Sequence, residues 1–346
     1  MKRVTYWPLK ELILARTREF FREPEAIFWV YGFPIILMFG LGIAFRTGSE
    51  EIKVDVVAGD GAEEARAALS AVPVFKVAVL PLEEARKRYA AAKTDLIVEL
   101  VDGGYRYTLD PSKAGAEASR VRVNDALQAA AGRKDPKSAA TALITEPGSR
   151  YIDWLIPGLL GMNIMGGGLW GLGFVTVDLR MRKLLKRFVA TPMRRSDFLL
   201  ALLGSRLFFL VPEIIVILAA GHLIFGLEIK GSLISLAAIS LLGAVAFGGL
   251  GLLLACRTDK IEVASGLLNL IMLPMWLFSG IFFSSERFPD AMQPFIQSLP
   301  LTQLNNALRA VILEGSSFGG QWVAALLLAA CALLSFAAAL RWFRWQ

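Results

Sequence analysis

Residues 154–177, WLIPGLLGMNIMGGGLWGLGFVTV, form an apolar run without a single charged side chain. About 20 apolar residues in a helix are enough to cross the hydrocarbon core of a bilayer. Five further runs of similar length occur along the chain, and only residues 198–225 among them contain acidic, basic or histidine side chains. The other four are residues 26–45, 233–255, 263–283 and 322–340. The sequence therefore predicts an α-helical integral membrane protein with six transmembrane helices.

Basic residues are distributed unevenly among the segments that connect these runs. Because successive spans cross in opposite directions, residues 1–24, the loop 178–197, the loop around Arg257 and the C-terminus share one side. That side contains seventeen Lys and Arg, against three on the other side when the long segment 46–153 is left out. Lys and Arg concentrate in cytoplasmic loops. This predicts a multi-pass membrane protein with both termini cytoplasmic, and the net charge of +7 then reflects loops at an anionic leaflet rather than nucleic-acid binding.

The segment between the first two runs differs in composition from the rest of the chain. Residues 46–153 lack long apolar runs and alternate between strand and helix patterns, beginning with IKVDVVAG at 52–59. Such alternation is typical of an α/β unit, so we expect an extracytoplasmic α/β domain here, followed by transmembrane helices two to six within 154–346. Two amphipathic segments are expected at membrane surfaces: a cytoplasmic helix within residues 1–25 and outer interfacial helices within residues 289–315.

The sequence lacks the motifs of common catalytic centres. The dipeptide Gly-Lys, which a Walker A phosphate loop requires, does not occur, and neither does HExxH. The two cysteines, Cys256 and Cys331, lie at the end of one apolar run and within another, and the single histidine is His222. We therefore expect no catalytic residue, no metal site and no cofactor, and the chain is not predicted to be an enzyme.

A basic segment, RKLLKRFVATPMRRSDFLL at residues 182–200, separates the second and third runs. Leu184, Leu185 and Phe188 have a spacing that places them on one side of a helix. Proline disfavours helical backbone in the residue before it, so Pro192 should end this helix. The pattern predicts a short amphipathic helix with a basic surround.

Three stretches resemble the type-2 permeases of ABC exporters. They are ATPMRRSDFLL (190–200), PMWLFSGIFF (274–283) and FPDAMQPFIQSLPLTQLNNALRAVILEG (288–315). The order of one span, a large insertion and five further spans is similar to the branch of that family with an extracytoplasmic insertion. The resemblance implies a transport subunit of a bacterial or archaeal cytoplasmic membrane, without its own ATPase. Such a subunit pairs with a second permease subunit, as a homodimer or heterodimer, and with a separate ABC ATPase, among membrane lipids.

The resemblance also implies a mechanism and a contact site. The permease would export an amphipathic small molecule or a lipid by alternating access, driven by ATP hydrolysis in its partner. Residues 179–192 would form a coupling helix, whose apolar side chains dock in a groove of the ATPase while its basic side chains meet an acidic rim. The residues assigned to ATPase coupling are Leu184, Leu185, Lys186, Arg187, Phe188, Thr191, Pro192, Arg194 and Arg195.

Three polar residues inside the apolar runs are candidates for the translocation pathway: Asn163, Glu213 and Asn269. A carboxylate within a membrane is costly and usually faces the bundle interior or a wet cavity. Arg206 precedes Glu213 by seven residues, roughly 10 Å along a helix, which is too far for a direct pair unless the side chains bend or a water intervenes. A structural tie to another helix is an equal alternative for Glu213.

Several alternatives stay open at the level of sequence. Gly167 and Gly171 form a GxxxG motif, which allows close packing either within the bundle or at a dimer face. An ion-coupled secondary transporter would use Glu213 as its ion site, and a membrane-tethered sensor would bind a ligand with its outer domain. Dependence on ATP separates the exporter from both, and the sequence does not identify a substrate.

Overall fold

The computed structural model describes residues 8–45, 51–101, 103–111, 113, 115–134, 137, 150–189 and 195–342. The chain divides into two compact units. The transmembrane unit comprises Met1–Arg46 and Thr145–Gln346, and the inserted domain comprises Thr47–Ile144.

Within the described residues, six helices are long and apolar enough to cross a membrane. The inserted domain lies in the chain between the first and the second of them. The prediction of a six-span helical membrane protein with an α/β insertion is therefore confirmed. In chain order, and named spans one to six from here on, the helices are Pro24–Ala44, Tyr151–Met181, Leu200–Phe225, Leu233–Ala255, Ile261–Phe278 and Phe318–Trp342.

Span two lies at the centre of the transmembrane unit. Most of its residues are buried, whereas only a small share of the residues of spans one and five is buried. Glycines permit a close approach to span four: a Cβ added at Gly168 would lie 2.5 Å from Phe247 Cβ, and one at Gly173 would lie 2.8 Å from the Gly251 carbonyl oxygen. Spans two and four therefore pack backbone against backbone, which only small residues allow.

Span five ends before the apolar run does. The helix stops at Phe278, and Gly280 follows with a φ of +70°, a left-handed backbone that glycine adopts readily. Two α-helices then lead to span six. They are Gln293–Ser298 and Pro300–Glu314, and the second is named the Pro300 helix from here on. The Pro300 helix packs into the core of the transmembrane unit. Its fully buried side chains include Leu301, Leu304, Ala307, Leu308, Val311 and Ile312.

The N-terminal helix, Pro8–Phe21, packs against span three. The rings of Phe20 and Phe209 lie with their centroids 4.3 Å apart. A Cβ added at Gly204 would lie 3.1 Å from the Ile13 Cδ1 atom. This amphipathic helix is therefore held by side-chain packing on span three.

The inserted domain is built on a mixed four-stranded sheet in the order β2-β1-β3-β4. Strand β1 (Ile52–Val57) runs parallel to β2 (Phe75–Leu80) and to β3 (Leu96–Val101), and β4 (Gly104–Thr108) forms an antiparallel hairpin with β3. Buried side chains of β1 and β3 pack with those of helices Ala62–Ser70 and Ala116–Ala130.

The helix Leu82–Ala90 packs against β1 and β3. From this helix Arg88 Nε donates to the Asp55 carboxylate at 2.9 Å. Side chains alternate between the faces of a strand, so Asp55 faces away from its neighbours Val54 and Val56. Burial raises the pKa of the Asp55 carboxyl, although Arg88 acts in the opposite direction. Helices thus cover both faces of the parallel strands, as such strands require.

Candidate coupling and translocation sites

A short basic helix, the loop helix, connects spans two and three and comprises Leu184–Val189. Lys183, immediately before it, has a φ of +58°, which is uncommon for a residue other than glycine. The Lys183 N–H donates to the Arg180 carbonyl at 2.9 Å. This tight turn sets the direction in which the loop helix leaves span two.

The loop helix presents charge outward and an apolar side chain inward. Lys186 and Arg187 are exposed, Leu184 is half-buried and Leu185 is 1% exposed. Leu185 belongs to one apolar cluster drawn from spans two, three, four and six. The other buried members are Leu172, Leu179, Leu202, Leu252, Cys256 and Ala339. The side chain of Leu185 therefore packs on the spans of its own chain and is not exposed for docking in a groove of another protein.

Other residues assigned to the coupling site lie wholly or partly outside the described structure. Thr191, Pro192 and Arg194 fall outside the described residues. Of Phe188 and Arg195, only the helical backbone is described.

Arg180, in the last turn of span two, is a buried residue to which the sequence pattern assigns no role. Its Nη1 atom donates to the carbonyls of Ala255 at 2.7 Å and Thr258 at 2.5 Å, and Nη2 donates to that of Cys256 at 3.0 Å. These carbonyls lie at and just beyond the end of span four. In sequence, Arg180 resembles one more basic loop residue, because it lies three residues beyond the apolar run 154–177.

Arg206 and Glu213 form a direct buried ion pair on span three. Nη2 of Arg206 donates to Oε2 of Glu213 at 2.8 Å, and Nη1 donates to Oε1. The two side chains are 5% and 1% exposed. The separation of seven residues is therefore bridged without water, because both long side chains bend toward each other along the helix. A bidentate pair of this kind is strong and directional.

Span two supplies the space for this ion pair. A Cβ added at Gly167 would overlap the guanidinium of Arg206, whereas one at Gly171 would lie 3.9 Å from Arg206 Cδ. Nη2 of Arg206 also lies 3.4 Å from the carbonyl oxygen of Ile164. The Gly167 side of the GxxxG motif thus serves packing within the bundle.

Asn163 and Asn269 differ in their surroundings. The Asn163 side-chain amide donates to the Val30 carbonyl of span one at 3.0 Å. Val30 lacks the usual donor four residues later, because that residue is Pro34, which has no N–H. Asn163 therefore satisfies an orphaned carbonyl. Asn269 is half-buried, and among the described residues its side-chain amide has no hydrogen-bond partner.

The Pro300 helix fixes the end of span five. The Asn305 amide donates to the Ser279 carbonyl at 2.9 Å, and Arg309 Nη2 donates to the Gly280 carbonyl. The guanidinium carbon of Arg309 lies 3.6 Å from the ring centre of Trp154, a cation–π contact. Arg309 thus acts at the end of span five as Arg180 does at the end of span four.

A groove between spans three and four has an apolar wall and a polar mouth. The apolar part measures about 380 Å³ and is lined by residues such as Ile214, Leu218 and Leu236. The adjoining space, about 510 Å³, is lined by His222 and Glu228 among others. Both spaces open outward, so they form a surface groove and not an enclosed cavity.

These features define a multi-pass α-helical membrane protein with an α/β domain inserted between its first two spans. A family model described as ABC-2 family transporter protein matches residues 24–341. The chain belongs to this family, as the resemblance predicted, and is an ABC permease subunit that lacks an ATPase domain.

Two relatives from Escherichia coli are similar over almost the whole chain. Each bears the name probable multidrug ABC transporter permease YbhS, one from strain K12 and the other from O157:H7. Each is 22% identical to the chain over 340 residues, covering 89% of both sequences. The chain is thus a multi-pass membrane protein homologous to a bacterial permease.

Proposed function

We propose that the chain is the permease subunit of an ATP-driven exporter, which moves an amphipathic small molecule or a lipid across a bacterial or archaeal cytoplasmic membrane by alternating access. Family membership supports the permease role, and the name of the YbhS relatives supports a drug-like cargo. The groove between spans three and four supports amphipathic character in the cargo.

Coupling to a separate ABC ATPase is proposed to occur through the loop helix. The observation that carries this proposal is its arrangement: Lys186 and Arg187 are exposed while Leu185 anchors the helix in the apolar cluster. Exposed cations of fixed position would meet an acidic rim on the ATPase, since complementary charge sets orientation and register at interfaces. An anchored helix also transmits force to the spans, which a free loop would not.

The proposed orientation follows from the distribution of basic residues. The termini, the helix within residues 1–25 and the loop helix would be cytoplasmic, and the inserted domain within 46–153 would be outside. Spans one and five expose large apolar side chains, among them Trp29, Ile36 and Leu270. A second permease subunit would cover part of this surface, and lipid would cover the rest.

The ion pair between Arg206 and Glu213 helps to distinguish an ATP-driven exporter from an ion-coupled secondary transporter. A proton or sodium site needs a carboxylate that changes its partner during transport. Both oxygens of Glu213 bind Arg206 instead. This favours a structural tie, and an exporter driven by ATP over an ion-coupled transporter.

Reconstitution tests the proposed function directly. The permease, with an ABC ATPase that copurifies with it, would be placed in liposomes and supplied with a fluorescent cationic amphiphile. We expect transport that requires ATP and is lost when the Walker A lysine of the ATPase is replaced. Transport by the permease alone, driven by a proton or sodium gradient, would contradict the proposal.

A further inference from the structure

The cytoplasm-facing ends of the spans, in the orientation proposed above, meet at one buried arginine. Arg180 is 8% exposed and its guanidinium donates to the Ala255, Cys256 and Thr258 carbonyls. A helix leaves its last four carbonyls without intrahelical partners. Arg180 therefore binds the end of span four from a neighbouring helix, and its charge complements the negative end of that helix.

The same residue lies at the start of the loop helix. The Arg180 carbonyl accepts from the Lys183 N–H, and the loop helix begins one residue later. From that helix, Leu185 packs in the cluster that contains Leu252 and Cys256 of the end of span four. The hydrogen bonds of Arg180, next to the turn that begins the loop helix, and the packing of Leu185 thus connect this region to the end of span four.

Span five begins at this junction as well. Val177 of span two, Ala255 of span four and Ala264 of span five form one buried cluster, with Ile261 packed against it. Arg180 Nε also lies 3.9 Å from the Asp259 carboxylate in the four–five connection. A displacement of the loop helix cannot leave the start of span five unchanged without breaking these contacts.

We propose that Arg180 is a positioning residue, which transmits movement of the loop helix to the adjoining ends of spans four and five during ATP-driven transport. The inference rests on the proposed coupling role of the loop helix. In this role Arg180 acts by holding three carbonyls in a fixed relation to the turn at Lys183.

The first test compares coupling ratios in the reconstituted complex. R180Q should reduce the amount of amphiphile transported per ATP hydrolysed by about fivefold or more, the lower end of typical coupling effects. R180K should lie between R180Q and the wild type, because an ammonium retains charge but lacks the planar fork of donors. The matched control is R309Q, which removes an arginine that binds the end of span five elsewhere. R309Q should lower the melting temperature while the complex that survives keeps the wild-type ratio.

The second test uses Cys256 as a native reporter. Its first comparison keeps Arg180 in place and therefore does not depend on the stability of an Arg180 variant. Cys256 is 4% exposed and its carbonyl binds Arg180. With Cys331 replaced by alanine, Cys256 is the remaining thiol of the chain. Its labelling rate with a small maleimide should differ between the nucleotide-free complex and the complex trapped with ATP and vanadate. R180K should reduce that difference.

The outcomes separate the two proposals. If the wild-type complex neither hydrolyses ATP nor transports the amphiphile, the proposed function fails. If the wild type transports but its Cys256 labelling is the same in both nucleotide states, the role of Arg180 is refuted. The role is equally refuted if R180Q or R180K transports with the wild-type coupling ratio.

Discussion

The guanidinium of Arg206 occupies the space that a side chain at Gly167 would fill. The glycine on span two and the arginine on span three are therefore complementary in shape, and the ion pair with Glu213 depends on both. This relationship connects a motif visible in the sequence to a contact that the sequence does not show.

Gly167→Ala should destabilise the permease. The added methyl group would displace the Arg206 guanidinium and disturb a buried ion pair, whose disruption costs about 3–5 kcal/mol when one partner is removed. The matched control is Gly171→Ala, where the nearest Arg206 atom is 3.9 Å away and alanine favours the helix by up to about 1 kcal/mol. Thermal unfolding in detergent would measure the difference. Equal melting temperatures for the two variants would show that the ion pair does not need the glycine.

Glu213→Gln should destabilise the transmembrane unit more than the double replacement Arg206→Met with Glu213→Leu. The single change leaves the charge of Arg206 buried and uncompensated, whereas an apolar pair of similar volume is often neutral or better. Thermal unfolding and transport would be measured for Glu213→Gln, for Arg206→Met and Glu213→Leu separately, and for the double variant. A structural tie predicts that the double variant recovers stability and transport together. Recovery of stability without transport would instead assign Glu213 to the pathway.

Replacements in the loop helix should separate anchoring from ATPase contact. Leu185→Asp would place a charge in the apolar cluster and detach the helix from the spans, so transport should be lost even where the ATPase still binds. Lys186→Gln with Arg187→Gln should weaken ATPase binding modestly and make it less sensitive to salt, because exposed ion pairs contribute roughly 0–1 kcal/mol and are screened. Affinity for the ATPase at low and high salt would measure this. Binding by the double glutamine variant with the wild-type salt dependence would exclude these cations from the interface.

The orientation predicts which positions react from outside the cell. With Cys256 and Cys331 replaced by alanine, a cysteine at Ser70, which is exposed on the inserted domain, should react with an impermeant maleimide in intact cells. A cysteine at Ser196 should react only after the membrane is permeabilised. The reverse labelling pattern would place the loop helix outside and invalidate the proposed coupling.

Long runs of apolar residues were sufficient to predict the spans, because a helix that crosses a bilayer needs about 20 apolar residues. Strand and helix alternation was likewise sufficient for the inserted domain, because each period fixes which side chains share a face. The local pattern of apolar residues contains less information about where a helix ends. Span five stops at Phe278 because the backbone at Gly280 is left-handed, although apolar residues continue to Phe283.

The sequence by itself determined the number of spans, the insertion, the basic side and the family, since these depend on composition and on short motifs. The tertiary structure decided which way side chains face. It packs Leu185 against the spans of its own chain and pairs Arg206 with Glu213 beside Gly167. It also directs the Arg180 guanidinium to the carbonyls at the end of span four. The partners of Arg180 lie 75 to 78 residues away in the chain. No periodicity encodes contacts of that kind, because they arise only when separate helices pack and leave a buried donor to find its acceptors.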